Sequence, residues 1–171
     1  MILSAQSIRR LSTYTVGKPP LISPFREEQV FHGMTGGVSS AGYDILIDQN
    51  VTLYPVTLKN LVLKSMNFKR PSFSLASSIE HFDLPANLMM FVVDKSTWAR
   101  RGLAVQNTTA EPGWMGYLTL ELSNHSDQVI RIKKGSPIAQ MIFYELDHPT
   151  DKPYVGKYQR QAKGPQPAIL V

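Results

Sequence analysis

From Ala41 onward the chain breaks into short runs bounded by turn formers, and this limits the fold more than any other feature. Strands are predicted at Tyr43 to Ile47, Val51 to Tyr54, Leu58 to Leu63, Ser72 to Ser77, Leu88 to Val93, Tyr117 to Leu122, Val129 to Ile132 and Ile138 to Glu145. Between them stand Lys69-Arg-Pro, Glu111-Pro-Gly, Ser123-Asn-His-Ser and Lys134-Gly-Ser-Pro, whose residues favour the dihedrals of tight turns. Many short strands at this spacing predict a mainly β jelly roll, sandwich or barrel rather than alternating β and α units. Ile2, Leu3, Ile8 and Leu11 fall at roughly helical spacing around Ser4, a residue suited to capping, so a short N-terminal helix is expected. Residues 18–38 are rich in Pro and Gly and are expected to be irregular. Ser96 to Arg101 is the one internal stretch expected to form a short helix.

One strand shows a division of faces. In Tyr117 to Ser123 the leucines at 118, 120 and 122 share one side, and Tyr117, Thr119, Glu121 and Ser123 share the other. Parity alone favours a solvated outer face for Glu121. The alternative is a polar pocket formed when a neighbouring subunit covers that face.

A chain of 171 residues suffices for one domain with a core and is short for two. The expectation is a single domain over residues 1–171, with a helix and loop over 1–38 and a basic tail over 150–171. The longest apolar stretch, around Leu88 to Val93, falls far below the roughly 20 residues of a membrane span. No basic region leads an apolar run at the amino end, so neither membrane insertion nor secretion is expected, and the glycosylation-like triplets at Asn50, Asn107 and Asn124 read as chance matches. The absence of cysteine fits a cytoplasmic protein and excludes disulfides, thiol nucleophiles and thiolate metal ligands. His32, His81, His125 and His148 are scattered, without the paired spacing of a metal site. The net charge of +5 suggests an anionic partner, but charge alone does not choose between nucleic acid and a small polyphosphate. The lack of a basic stripe with interleaved aromatics argues against nucleic acid. After Asp151 the tail carries Lys152, Lys157, Arg160 and Lys163 with no further acid, which suits either a solvated arm or a phosphate clamp.

Four segments, in order, carry more. They are Ser39-Ser-Ala-Gly-Tyr-Asp-Ile, Asp94-Lys-Ser-Thr-Trp-Ala-Arg-Arg-Gly-Leu, Glu111-Pro-Gly-Trp-Met-Gly-Tyr-Leu-Thr-Leu-Glu-Leu-Ser-Asn and Gly156-Lys-Tyr-Gln-Arg-Gln-Ala-Lys-Gly-Pro-Gln-Pro. In this order and spacing the chain resembles the dCTP deaminase branch of the trimeric dUTPase superfamily. The resemblance implies a dUTPase-like distorted jelly roll or β-barrel and a homotrimer with active sites between subunits. It implies Glu121 as the proton-handling residue, with Ser96 and Arg100 completing the catalytic group. It further implies that Lys95 and Thr97 begin a phosphate turn, that Lys157 and Gln161 close over the phosphates, and that Tyr154 and Tyr158 pack beside them. Asp44 and Trp114 become candidates for the sugar and base region, with structural roles nearly as well supported. The resemblance also implies Mg²⁺ on the triphosphate, and the lack of a dedicated carboxylate cage in the sequence is consistent with a metal that arrives with the nucleotide.

The implied chemistry suits these residues. Deaminating cytosine requires water to lose a proton and the leaving amine to gain one, and one carboxylate in hydrogen-bond reach can do both in turn. Zinc deaminases activate water through a His/Cys-ligated metal with an H-x-E and P-C-x-x-C signature. A chain with no cysteine cannot build that site. A spacing of four on a helical turn puts Ser96 and Arg100 on one side. Two alternatives stay open: a dUTPase or bifunctional enzyme giving dUMP, against which Glu111 argues mildly because it replaces the water-activating Asp of dUTPases, and a non-catalytic nucleotide-binding homologue.

Overall fold

Alternation in sequence becomes alternation in burial. The computed structural model describes residues 1–13, 16–56, 71–106 and 109–170, so the predicted strand Leu58 to Leu63 lies outside the described residues. A four-stranded antiparallel sheet is ordered β1 (Ile22–Ser23), β6 (Phe73–Asp83), β10 (Met115–Asn124), β8 (Leu103–Val105). A six-stranded antiparallel sheet is ordered β2 (Gln29–Phe31), β3 (Met34–Ser39), β4 (Gly42–Leu46), β12 (Pro137–Glu145), β7 (Leu88–Asp94), β9 (Thr109–Ala110). A small third sheet pairs β5 (Val51–Leu53) with β11 (Ile130–Ile132).

The core lies between the two larger sheets. Ala76, Phe82 and Leu120 from one sheet and Ile45, Met90, Met141 and Phe143 from the other are all fully buried. The rings of Phe82 and Phe143 meet across the interface with centroids 6.4 Å apart. This is the mainly β, jelly-roll-type architecture that the spacing of short strands predicts.

Helix α1 spans Ala5–Ser12, with Ser4 as the N-cap whose hydroxyl accepts the Ser7 N–H at 3.5 Å. Ile8 is its fully buried anchor. The expected internal helix is a single turn, α2 (Ser96–Ala99), closed by the Arg100 N–H donating to the Ser96 carbonyl at 3.0 Å. Its buried residue is Trp98, whose Nε1 donates to the Pro137 carbonyl at 2.7 Å.

The expectation of irregular backbone over residues 18–38 needs correction, because β1, β2 and β3 all fall within that stretch or start in it. His32 and Gly33, with φ of 51° and 80°, form the tight turn between β2 and β3. Positive φ at both central residues matches the right-handed twist of a hairpin. Glycine concealed the strand from its sequence. A Cβ on Gly36 would sit 2.9 Å from Phe31 Cδ2 and 3.0 Å from Pro137 Cγ, so β3 carries glycine where neighbouring side chains leave no room.

Strand β6 is longer than the predicted Ser72 to Ser77, and an irregularity explains how it serves two sheets. Its register against β10 shifts between Tyr117↔His81 and Thr119↔Ser77. Within that bulge the Ser78 hydroxyl accepts the Leu118 N–H at 2.9 Å and donates to the Glu80 carbonyl at 2.7 Å. Ser78 also bridges to Ile47, just beyond β4. The Glu80 carboxylate, fully buried, accepts from the Leu46 N–H at 3.0 Å and from Arg26 Nη1 at 2.8 Å. Desolvation pushes its pKa up to about 7 against the opposing pull of Leu46 N–H and Arg26.

Candidate active site

The polar face of β10 is the starting point. Gly116, Leu118, Leu120, Leu122 and Asn124 are buried, and Tyr117, Thr119, Glu121 and Ser123 between them are half-buried. A cavity of about 590 Å³ opens over this face and is lined there by Thr119 and Glu121. Phe73 and Leu75 of β6 add apolar wall, and Glu111 and Trp114 enter from the turn that precedes β10. The remaining side comes from the tail, through Tyr154, Tyr158, Gln161 and Gln166. Burial raises the Glu121 carboxyl above its ordinary value, opposed by its own backbone N–H.

The tail lies along its own chain's β10. The physical reason is a set of short bonds to exposed backbone groups of the strand. Gln161 Nε2 donates to Thr119 Oγ1 at 2.7 Å and to the Tyr117 carbonyl at 2.9 Å. The Gln166 N–H donates to the same Thr119 hydroxyl at 3.0 Å. The Tyr117 N–H donates to the Gln161 carbonyl and the Arg160 N–H to the Met115 carbonyl, both at 3.0 Å. Further along, Lys163 Nζ stands 3.4 Å from Asp48, which Lys134 also holds at 2.9 Å. Burial alone would raise Asp48, but the two ammonium groups outweigh it and hold the carboxyl below its ordinary value.

Gly116 makes this close approach possible. Its φ is 142°, and a Cβ there would lie 2.6 Å from the Gln161 nitrogen. Gly116→Ala is therefore expected to lift the tail from β10 without disturbing the buried leucine face. Limited proteolysis should then cut the variant after residue 150 at a concentration of protease that spares the parent. Equal resistance in the two proteins would show that Gly116 does not control tail docking.

Eleven residues were expected at the site, and one chain brings five of them together: Glu121, Trp114, Tyr154, Tyr158 and Gln161. Trp114 is buried, and its Nε1 donates to the Tyr158 carbonyl at 2.8 Å, so the indole also ties the tail to the wall. Ser96, Thr97 and Arg100 are exposed on and after α2, outside the cavity lining. Lys95 and Asp44 pair with each other at 2.8 Å, with side chains only 10% and 8% exposed. Burial raises the Asp44 carboxyl, with Lys95 opposing. Lys157 is exposed, donates to the Ile169 carbonyl and lies 5.4 Å from the Tyr158 ring centroid.

A family profile described as dCTP deaminase-like matches residues 2–146. The chain belongs to the dCTP deaminase-like family. Among curated relatives, the dCTP deaminase of Campylobacter concisus (strain 13826) is 37% identical over 181 aligned positions, covering 95% of each chain. That of Campylobacter curvus (strain 525.92) is 38% identical and covers 88% of this chain and 90% of its own. That of Acinetobacter baumannii (strain AYE) is 34% identical over 94% of this chain and 95% of its own. The fold also matches solved dUTPase structures. The EIAV dUTPase aligns with a TM-score of 0.51 at 17% identity, covering 70% of this chain and 87% of that one. The dUTPase of phage phi11 of S. aureus aligns with a TM-score of 0.52 at 15% identity, covering 80% and 94%.

Within this dCTP deaminase-like chain, sequence reasoning missed some of the cavity. Thr119 was legible, since parity places it two residues from Glu121 on the same face. Gln166 and Pro167 end the fourth quoted segment but were given no role there, and Ala168, which follows it, also lines the cavity. Phe73 and Leu75 read as ordinary strand residues.

Proposed function

We propose that this protein catalyses zinc-independent hydrolytic deamination of dCTP to dUTP and ammonia, as a cytoplasmic enzyme of pyrimidine deoxynucleotide supply. The observation that carries the reading is the placement of Glu121, half-buried on the polar face of β10 and lining a cavity with Trp114, Tyr154 and Gln161, in a member of the dCTP deaminase-like family. Water adds at C4 of the base as Glu121 takes its proton. The carboxyl then returns a proton to the amine, the C4–N bond breaks, and ammonia leaves. Glu121 has to be ionised to start, and its raised pKa makes it a better proton acceptor than a solvated carboxylate.

Ser96 and Arg100 are exposed within their own chain. This supports a homotrimer in which α2 of one subunit presents them to the cavity of the next, where Arg100 would steady the ionised Glu121 and Ser96 the water. Thr97 and Lys157 then face the triphosphate, with Lys95 held against Asp44 at the start of α2, and Mg²⁺ comes bound to its phosphates. Among the described residues no three His, Cys, Asp or Glu side chains stand together. Nucleic acid and membrane have no part in this reading, and no described helix is long and apolar enough to cross a membrane.

Glu111 lines the same cavity, and this observation favours testing a second step from dUTP to dUMP and pyrophosphate. Incubating dCTP, dUTP, dCMP and CTP separately with Mg²⁺ and resolving the products tests both. The expected result is consumption of dCTP with dUTP and ammonia formed one to one. Appearance of dUMP and pyrophosphate would establish the bifunctional form, and dCTP binding without turnover would sink the enzyme reading.

A further inference from the structure

Gln159 lies outside the cavity lining, yet its carboxamide makes four hydrogen bonds. Nε2 donates to the Gly113 carbonyl at 2.7 Å and to the Tyr154 carbonyl at 2.9 Å. Oε1 accepts the Met115 N–H at 2.9 Å and the Arg160 N–H at 3.1 Å. Two carbonyls on one side and two N–H groups on the other settle which end of the amide is nitrogen. A carboxamide is the side-chain group that offers two donors and a two-lone-pair acceptor in one plane, so neither a carboxylate nor an alkyl group can replace it.

The partners fall on two segments. Gly113 and Met115 flank Trp114 in the wall of the cavity, and Tyr154 and Arg160 belong to the tail on either side of Lys157. The surroundings are fitted to the same contact. The Tyr154 N–H donates to the Pro112 carbonyl at 2.8 Å, and a Cβ on Gly113 would lie 2.7 Å from Pro153 Cβ. Gln161, which reaches Thr119, follows Gln159 by two residues.

The geometry points to Gln159 as a positioning residue, a clasp that fixes the Trp114 wall and the Gln161 arm in register so that the nucleotide meets a formed cavity. In its kinetic part this rests on the deaminase reading above. Glu121 is held by β10, opposite Leu75 of β6, and those pairings do not involve Gln159. Loosening the clasp should therefore weaken capture of the nucleotide and leave the proton-transfer step nearly intact.

Gln159→Glu and Gln159→Leu, in the full chain, test the inference by two readouts. The first is amide hydrogen exchange at Tyr117, Arg160 and Gln166, the N–H groups bonded across the tail contact. Exchange there is expected to quicken about tenfold or more, with the centres of β6 and β10 unchanged. The second is dCTP kinetics with Mg²⁺, where KM is expected to rise about tenfold or more with kcat within about threefold. Unchanged exchange at those amides overturns the proposal. So does faster exchange throughout the core with kcat and KM lost together, since Gln159 would then be a general stability residue. If the parent protein does not turn over dCTP at all, the deaminase reading falls, and the exchange measurement still decides the clasp.

Discussion

Glu121→Gln is expected to lower kcat for dCTP deamination by about 10²–10⁴-fold, the range that general acid–base assistance supplies. The substitution keeps the size and planarity of the side chain and removes only its capacity to take and return a proton. Glu121 is half-buried and points away from the leucine face, so no core packing changes. Stability should stay within about 0.5 kcal/mol of the parent, and dCTP should still bind, because Trp114, Tyr154 and Gln161 are untouched. Ammonia release, calorimetric binding and thermal unfolding separate these effects. A variant that retains activity within a factor of about ten would remove Glu121 from the mechanism.

The second large effect concerns stability. Glu80→Ala is expected to cost about 3–5 kcal/mol, as breaking a buried ion pair does. It strands the Leu46 N–H inside the core, opens a void at the β6 bulge and leaves Arg26 without its carboxylate. The cost should fall at the lower end of the range, because the Arg26 side chain is 24% exposed and can turn to water. Glu80 also gives the fold a signed pH response. Its carboxyl titrates near 7 when folded against 4.5 when unfolded. Between those values the folded protein binds more protons, so this group's contribution makes stability fall as pH rises from about 4.5 to about 7 and then level off. The span corresponds to about 3 kcal/mol at about 1.4 kcal/mol per pH unit. Glu80→Gln should remove that component. Denaturant unfolding of both proteins at pH 5 and pH 8 measures it as a difference, in which contributions such as that of Asp48 largely cancel. A gap between the two proteins that stays constant with pH would show that Glu80 does not titrate in this window.

How much of this was legible follows from what a sequence can record. The faces of β10 were readable because alternation is a local property, and the Ser4 cap and the helical turn at Ser96 were readable for the same reason. Strand β3 was not, since Gly36 and Gly37 replace the side chains whose pattern would reveal a strand. The Arg26–Glu80 pair joins residues 54 apart and depends on a bulge that no local signal announces. The docking of the tail was hidden for another reason. Its bonds run largely to backbone carbonyls and N–H groups, which every sequence has. The Lys95–Asp44 pair illustrates the converse, because motif resemblance singled out both residues while tertiary structure set them against each other.

Strand β10 carries a consequence for how this protein can change over time. Its ten residues separate core from cavity by parity alone, and the extra length in the β6–β10 ladder is taken up on the β6 side. A single residue inserted or deleted between Gly116 and Glu121 would turn every later side chain to the opposite face, sending Glu121 into the core and leucines into the cavity. Substitutions on the cavity face alter chemistry one position at a time, whereas any change of length exchanges the two faces at once. On this geometry a residue can be replaced within β10 without turning Glu121 from the cavity, whereas added length is accommodated in the turns at its ends.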